Sequence, residues 1–297
     1  LDSALWIGSF AKNLEMASYE KGTFQTLDNM PVLETSSPIQ GISQNLEEEV
    51  WIGNNHRQLH HFQFPSKLVQ SFLQGKSIRT LFPLQNEKYI VATERSGWYE
   101  LNLSTRKIKP YTLFSDGISY SAHSSREIIP DGNTFWSNTN NAIIEIDTLT
   151  RSVNAYRHYP VICLKKATDS TLVYGTNGYG LVEFNKKTKQ HRLLVETPEL
   201  DIIDLAHHGN TWVGATNKGV FTYNEVTKEF QLYAGDTLPD TYFLMVTYHP
   251  NFGFLLGSRT GKIIGFQPET QKFTTLYEDT LEAGIATILF DKDWWWI

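Results

Sequence analysis

The sequence predicts an all-β fold, a seven-bladed β-propeller of four-stranded antiparallel blades. Three observations lead there. First, one short phrase recurs along the chain: an apolar strand ending near Trp-Ile-Gly, a polar turn, a second apolar strand and a Thr-Lys-Phe-like turn. Its clearest copies are Leu5-Trp6-Ile7-Gly8, Val50-Trp51-Ile52-Gly53 and Thr211-Trp212-Val213-Gly214, with weaker ones at Tyr89–Ala92, Phe135–Asn138, Leu172–Gly175 and Phe254–Gly257. Second, Trp-equivalent positions at 6, 51, 90, 136, 173, 212, 255 and 296 give a mean period of about 41 residues, the length of one propeller blade. Third, 17 Phe, 14 Tyr and 8 Trp favour pleated surfaces, and the turns are rich in Gly, Asn, Thr and Asp.

One unit, 201–233, displays the order of elements. Asp201–Ala206 reads as an apolar first strand, expected at the inner edge of the blade and covered on both faces. After a turn at 207–210, Thr211–Ala215 is the second strand, Gly219–Asn224 the third and Phe230–Tyr233 the outer fourth. Third strands recur at Ala142–Asp147, Gly180–Asn185 and Gly261–Phe266, where alternating polarity predicts one more exposed face. The indoles of Trp6, Trp51, Trp136, Trp212 and Trp296 are read as wedges between blades. Gly8, Gly53, Gly175, Gly214 and Gly257 are read as small residues that admit a bulky neighbour. The first blade lacks an inner strand, so Gly284–Phe290 is expected to complete it from the C-terminal side. Asp291–Ile297 then either pairs redundantly at that seam or opens a further unit. The chain starts at Leu1 inside one repeat and stops inside another, as expected for a single propeller domain, 1–297, cut from a longer multidomain protein.

Bulk properties exclude several classes. There are 26 basic and 32 acidic residues, a net charge of -6, and no basic run, so nucleic acid is not an expected partner. No apolar stretch approaches the roughly 18 residues of a membrane span, so this segment is not expected to insert in a membrane. The one cysteine, Cys163, excludes an internal disulfide and a cysteine-based zinc site. No cofactor is expected.

Leu-Trp-Ile-Gly, Gly219-Val220-Phe221-Thr222-Tyr223-Asn224 and Val226-Thr227-Lys228-Glu229-Phe230 resemble the two-component regulator propeller repeat. The pattern covers the whole chain and is closest at 5–8, 50–53 and 211–230. Ile90, Val173 and Leu255 depart from its Trp, and Ala92 and Asn138 from its Gly. The resemblance implies the extracytoplasmic, periplasmic sensor region of a bacterial histidine kinase or hybrid regulator. It also implies coupling to adjacent domains of that receptor and, for many members, oligosaccharide sensing.

No catalytic motif has its required spacing: Gly-x-Ser-x-Gly, the P-loop and His-Glu-x-x-His are all absent. His60-His61 and His207-His208 are adjacent, so on strands they face opposite ways and do not chelate one metal; they are expected to be exposed or in turns. Asp131-Gly132-Asn133 reads as a hairpin turn, Asp291-Lys292-Asp293 as a turn and Glu47-Glu48-Glu49 as a solvated tip. Any ligand is expected on the rim formed by the second-to-third turns. There His56, Arg57, Glu94, Arg95, Asn140, Tyr179, Lys218 and Arg259 offer planar donors, amides and an aromatic face, which suit a polyhydroxylated ligand. The leading expectation is a non-enzymatic sensor module. The alternatives are a protein-interaction scaffold and a propeller lyase or glycoside hydrolase, for which Glu94, Arg95 and Arg259 are the hints of charge in the funnel.

Overall fold

The computed structural model describes, with side chains, residues 51–53, 59–61, 71–120, 122, 125–235, 238–278 and 284–288, and strand backbone alone in segments flanking them. Every regular element among the described residues is a β-strand. Six sheets follow one another along the chain, each of four antiparallel strands in sequence order. They are numbered II to VII and span 39–72, 78–110, 128–157, 161–196, 202–233 and 243–278. Sheet I combines strands from both ends of the chain. The arrangement is propeller-like.

Sheet VI has strands Ile202–His208, Thr211–Thr216, Gly219–Asn224 and Phe230–Tyr233, within two residues of expectation. Burial falls from inside to outside. The second strand is buried from Trp212 to Thr216, whereas the fourth is largely exposed. Third strands are buried at every position but two, so their alternation is weaker than the sequence suggests. The Thr-Lys turns share one mechanism: Asp147, Asn185 and Asn224 each accept two backbone N–H groups, from residues two and three positions on. A hairpin of Leu113–Ser115 and Ile118–Tyr120 lies between sheets III and IV, where the repeat is longest.

Neighbouring sheets meet through side chains whose facing is set strand by strand. Trp51 packs forward on Ile78, Tyr89 and Val91 of sheet III, and Trp136 on Val161, Leu164 and Leu172 of sheet V. Trp212 packs backward, on Cys163, Val173 and Leu181 of sheet V. Register explains the reversal. Asn54 and Thr216 occupy equivalent places, opposite Ile39 and Ile202; Trp51 lies three residues before that place and Trp212 four. A shift of one flips a side chain to the other face. The true equivalent of Trp51 in sheet VI is therefore Val213, and Ala215, not Gly214, takes the place of Gly53. The reading of Trp212 as a copy of Trp51 is corrected accordingly, although both are wedges between sheets.

The small residue has a definite task. A Cβ on Gly53 would lie 2.9 Å from the Ile78 side chain, one on Gly175 2.4 Å from Ile202, and one on Gly257 2.6 Å from the Ile285 carbonyl. Each glycine thus receives the residue that opens the next unit. At Gly214 the obstacle is Phe221 of its own sheet, 2.0 Å away.

The first strands carry a second regularity. Their register slips by one residue at Gln40, Arg79, Ile162, Ile203 and Leu244 in sheets II, III, V, VI and VII. Such a bulge turns two successive side chains toward the same side.

At the seam, C-terminal strands do join sheet I, and the expected segment takes part only through its last two residues, Leu289 and Phe290. Trp294–Trp296 pairs parallel to Leu5–Gly8, with Trp6 opposite Trp296, and Leu289–Asp291 pairs on its far side. Gly284–Ile288 is engaged elsewhere. Ile285 N–H donates to the Ser258 carbonyl at 2.8 Å, and Ile285 and Ile288 are buried with Met245, Leu255 and Ile263 of sheet VII. Ile285 thus takes the place that Ile202 takes at the start of sheet VI, and Leu289–Asp291 meets Leu5–Gly8 only through the intervening Trp294–Trp296. The side chains of Trp6, Gly8 and Trp296 lie outside the described residues.

Two substitutions measure this packing. Gly175→Ala is expected to cost about 1–3 kcal/mol by overpacking, and Trp212→Ala about 3–5 kcal/mol, read by urea unfolding. A Gly175→Ala chain as stable as the parent would contradict the assigned contact.

Candidate functional site

The bulged first strands converge on a cavity of about 740 Å3 that borders sheets II to VII and residues 286–287. The bulge positions Arg79, Ile162, Ile203 and Leu244 all line it, with 78–81 and 162–165 bordering it as consecutive runs. Arg126 and Glu127, just ahead of sheet IV, complete the polar wall. Inner strands are therefore not covered on both faces as expected, and charged side chains gather where Glu94, Arg95 and Arg259 were the sole hints.

Lys165 Nζ stands 3.2 Å from Asp204 Oδ1 and 3.5 Å from Glu127 Oε2. Asp204 Oδ2 also accepts the Val246 N–H at 3.0 Å. Lys165 and Glu127 each keep about a third of their side chain accessible, because they border a cavity rather than packed core. Burial alone would lower the Lys165 ammonium, but Asp204 and then Glu127 overcome it and hold it above the ordinary lysine range. Burial raises the Glu127 carboxyl, and Lys165 offsets this only in part. Arg79 pairs with Glu94. Arg126 has no ion pair among the described residues, and burial followed by the nearby Arg79 charge lowers its guanidinium below the usual range. Burial pushes the Cys163 thiol up to about 12, which leaves it mostly protonated and a poor nucleophile near neutral pH.

The rim residues named from sequence are spread around the mouth rather than gathered. Tyr179 is half exposed, its ring 5.1 Å from that of Tyr159. Lys218 pairs with Glu199 at 3.1 Å, and the Arg259 guanidinium lies over Tyr242 at 5.2 Å. In all three, a second-to-third turn meets the turn that enters its own sheet. Asn140 is exposed, its carbonyl accepting the Val161 N–H at 2.9 Å. Arg95 is exposed, while Glu94 is directed to Arg79. His56 and Arg57 lie outside the described residues, as does Glu47-Glu48-Glu49. Sequence reasoning missed Tyr159, Arg79, Arg126, Glu127, Lys165 and Asp204. The available signal was charge inside otherwise apolar first strands, as in Val161–Lys166 and Ile202–Ala206.

The histidines correct another expectation. His60 and His61 are buried. His60 Nδ1 lies 3.0 Å from Ser71 Oγ, and His61 stacks on Trp51 with ring centroids 4.3 Å apart. His61 fills a wall of the Trp51 wedge, and His60 is buried on the opposite face, whereas the sequence assigned both to the surface. His207 and His208 take separate partners, stacking on Trp212 and Tyr248, as adjacent strand residues must. Among the described residues no cluster of His, Cys, Asp and Glu is arranged to hold a metal. Asp131-Gly132-Asn133 is a turn, with Gly132 at φ +60°, and Asp131 binds Lys186 and the Trp136 indole N–H.

Burial lowers the His60 pKa from 6.5 to about 4. The contribution of its neutral ring is complete above pH 6.5 and is lost as pH falls toward 4. That loss is of order 3 kcal/mol for this shift. Unfolding free energies measured across this window should fall less steeply in His60→Gln than in the parent.

No protein-family model matches the sequence, and no curated protein matches it. Solved structures do. The chain is similar to an extracellular domain assigned to the hybrid two component system BT3049 of B. thetaiotaomicron, at TM-score 0.68 and 15% identity over 85% of this chain and 37% of that one. An extracellular domain assigned to the hybrid two component system BT4673 of the same organism gives 0.65 and 14%, over 93% of this chain and 38% of that one. Saccharomyces cerevisiae Sqt1 gives 0.65 and 10%, over 97% and 90%. At these identities the likeness is one of fold. The chain spans less than two fifths of each bacterial domain.

Proposed function

We propose that this chain is a seven-bladed propeller acting as a non-enzymatic, ligand-sensing module in the extracytoplasmic region of a two-component receptor, with an oligosaccharide as ligand. The observation that carries the reading is the cavity, about 740 Å3 and polar along its wall, within the size range of small-molecule sites. The tyrosine pair adds to it. Asn177 lines the cavity, and two positions on, Tyr179 with Tyr159 offers ring faces of the kind that pack on the apolar faces of a sugar. The protonated Cys163 thiol and the doubly paired Lys165 favour binding over turnover. The fold likeness to extracellular domains of two-component systems supports the setting.

Signalling then follows from differential affinity. A saccharide held at the mouth shifts the receptor only as far as it prefers one packing of this ring against adjacent domains. Titration calorimetry with neutral oligosaccharides tests the reading. Binding that weakens about tenfold in a Tyr159→Ala/Tyr179→Ala double variant is expected from two lost ring contacts. If no oligosaccharide binds, the saccharide assignment fails and a protein-interaction scaffold becomes the better description.

A further inference from the structure

We propose that the cavity holds a singly charged oxyanion, a small carboxylate-bearing ligand, on the guanidinium of Arg126. Every charged side chain around the cavity has an ion-pair partner among the described residues except this one. Arg79 is taken by Glu94, and Lys165 is shared by Glu127 and Asp204. Arg126 has its backbone N–H on Asn138 Oδ1 at 3.2 Å, while its side chain borders the cavity with no ion pair among the described residues. Arg126 is exposed to the cavity rather than packed; there desolvation by the surrounding protein and then the neighbouring Arg79 work against its charge, while Glu94 and Asp204 favour it. A carboxylate is the planar, bidentate partner that relieves both penalties.

The same wall limits the ligand's charge. Glu127 and Asp204 face the cavity too, so a dianion such as phosphate meets like charge that a monoanion largely escapes. Thr80, Asn177 and Thr287 supply hydroxyl and amide groups for the neutral remainder of the ligand. The inference rests on the sensing reading for its biological meaning, since both use one cavity, but not for the binding itself.

Titration calorimetry on the whole chain with glucuronate, lactate, sulfate and glucose decides it. The expected result is binding of glucuronate or lactate that weakens about thirtyfold or more in Arg126→Gln. Arg126→Lys should fall between the two, because it keeps the charge and loses the fork. Arg192→Gln, an outer residue paired with Glu183, should bind like the parent. Arg126 holds no ion pair to lose, so Arg126→Gln should melt at or above the parent temperature. Should it fail to fold, the Lys variant supplies the comparison. Monoanion binding unaltered in Arg126→Gln, sulfate bound more tightly than either carboxylate, or no anion binding at all, overturns the site. Glucose or neutral oligosaccharide binding that ignores Arg126→Gln, with no carboxylate binding beside it, overturns the site while leaving saccharide sensing intact. Monoanion binding that depends on Arg126, without any neutral saccharide binding, upholds the site and removes the saccharide.

Discussion

The close approach of one sheet to the next is the constraint on which the remaining structure depends. At Gly53, Gly175 and Gly257 the backbone leaves no room for a Cβ, because the first residue of the following unit occupies that space. Ala215 serves in the same place before Phe243, with which it is buried. Once this spacing is set, large side chains fill the wedge on either side of the notch, and the direction from which each arrives is a matter of register. Trp51 and Trp136 come from the preceding sheet, and Trp212 from the following one. The sheets need a filled wedge, and any bulky residue of the right reach supplies it.

This tolerance explains what could be read in advance. Period, strand order and turn chemistry were legible because each depends on local residue type: the Asx-type turns at Asp147, Asn185 and Asn224, and the alternation of their flanking strands, are written in consecutive residues. The position of Trp212 was not legible. A tryptophan is compatible with either face, and the one-residue offset shows only in cross-strand pairing. His60 and His61 misled for a related reason. Their polarity suggests surface, yet both rings are buried, His61 stacked on Trp51 and His60 with Nδ1 against Ser71 Oγ. The seam misled because Gly284–Phe290 has the character of one inner strand, but only Leu289 and Phe290 pair in sheet I, and a parallel strand, Trp294–Trp296, stands between them and Leu5–Gly8.

The candidate site was the least legible part. Rim residues were found because turns are recognisable, and several of them are neutralised by partners in the neighbouring turn, as Lys218 is by Glu199. Most of the charged groups that face the cavity come from strands that appear apolar, and their meeting depends on sheets III, V and VI and on the segment ahead of sheet IV. Asp204 and Lys165 are 39 positions apart in the chain and 3.2 Å apart in space. A pairing of that kind follows from the packing of one sheet against the next, which sequence pattern alone does not specify.

The slip in the first strands reaches beyond geometry. Arg79, Ile162, Ile203 and Leu244 hold corresponding places in sheets III, V, VI and VII, and the same bulge accommodates each of these side chains. Cationic and aliphatic residues already share that place without any change of fold. The cavity lining thus behaves as a set of interchangeable letters on a constant frame. A lineage using this frame can rewrite what its centre recognises one letter at a time, leaving the wedges and notches untouched.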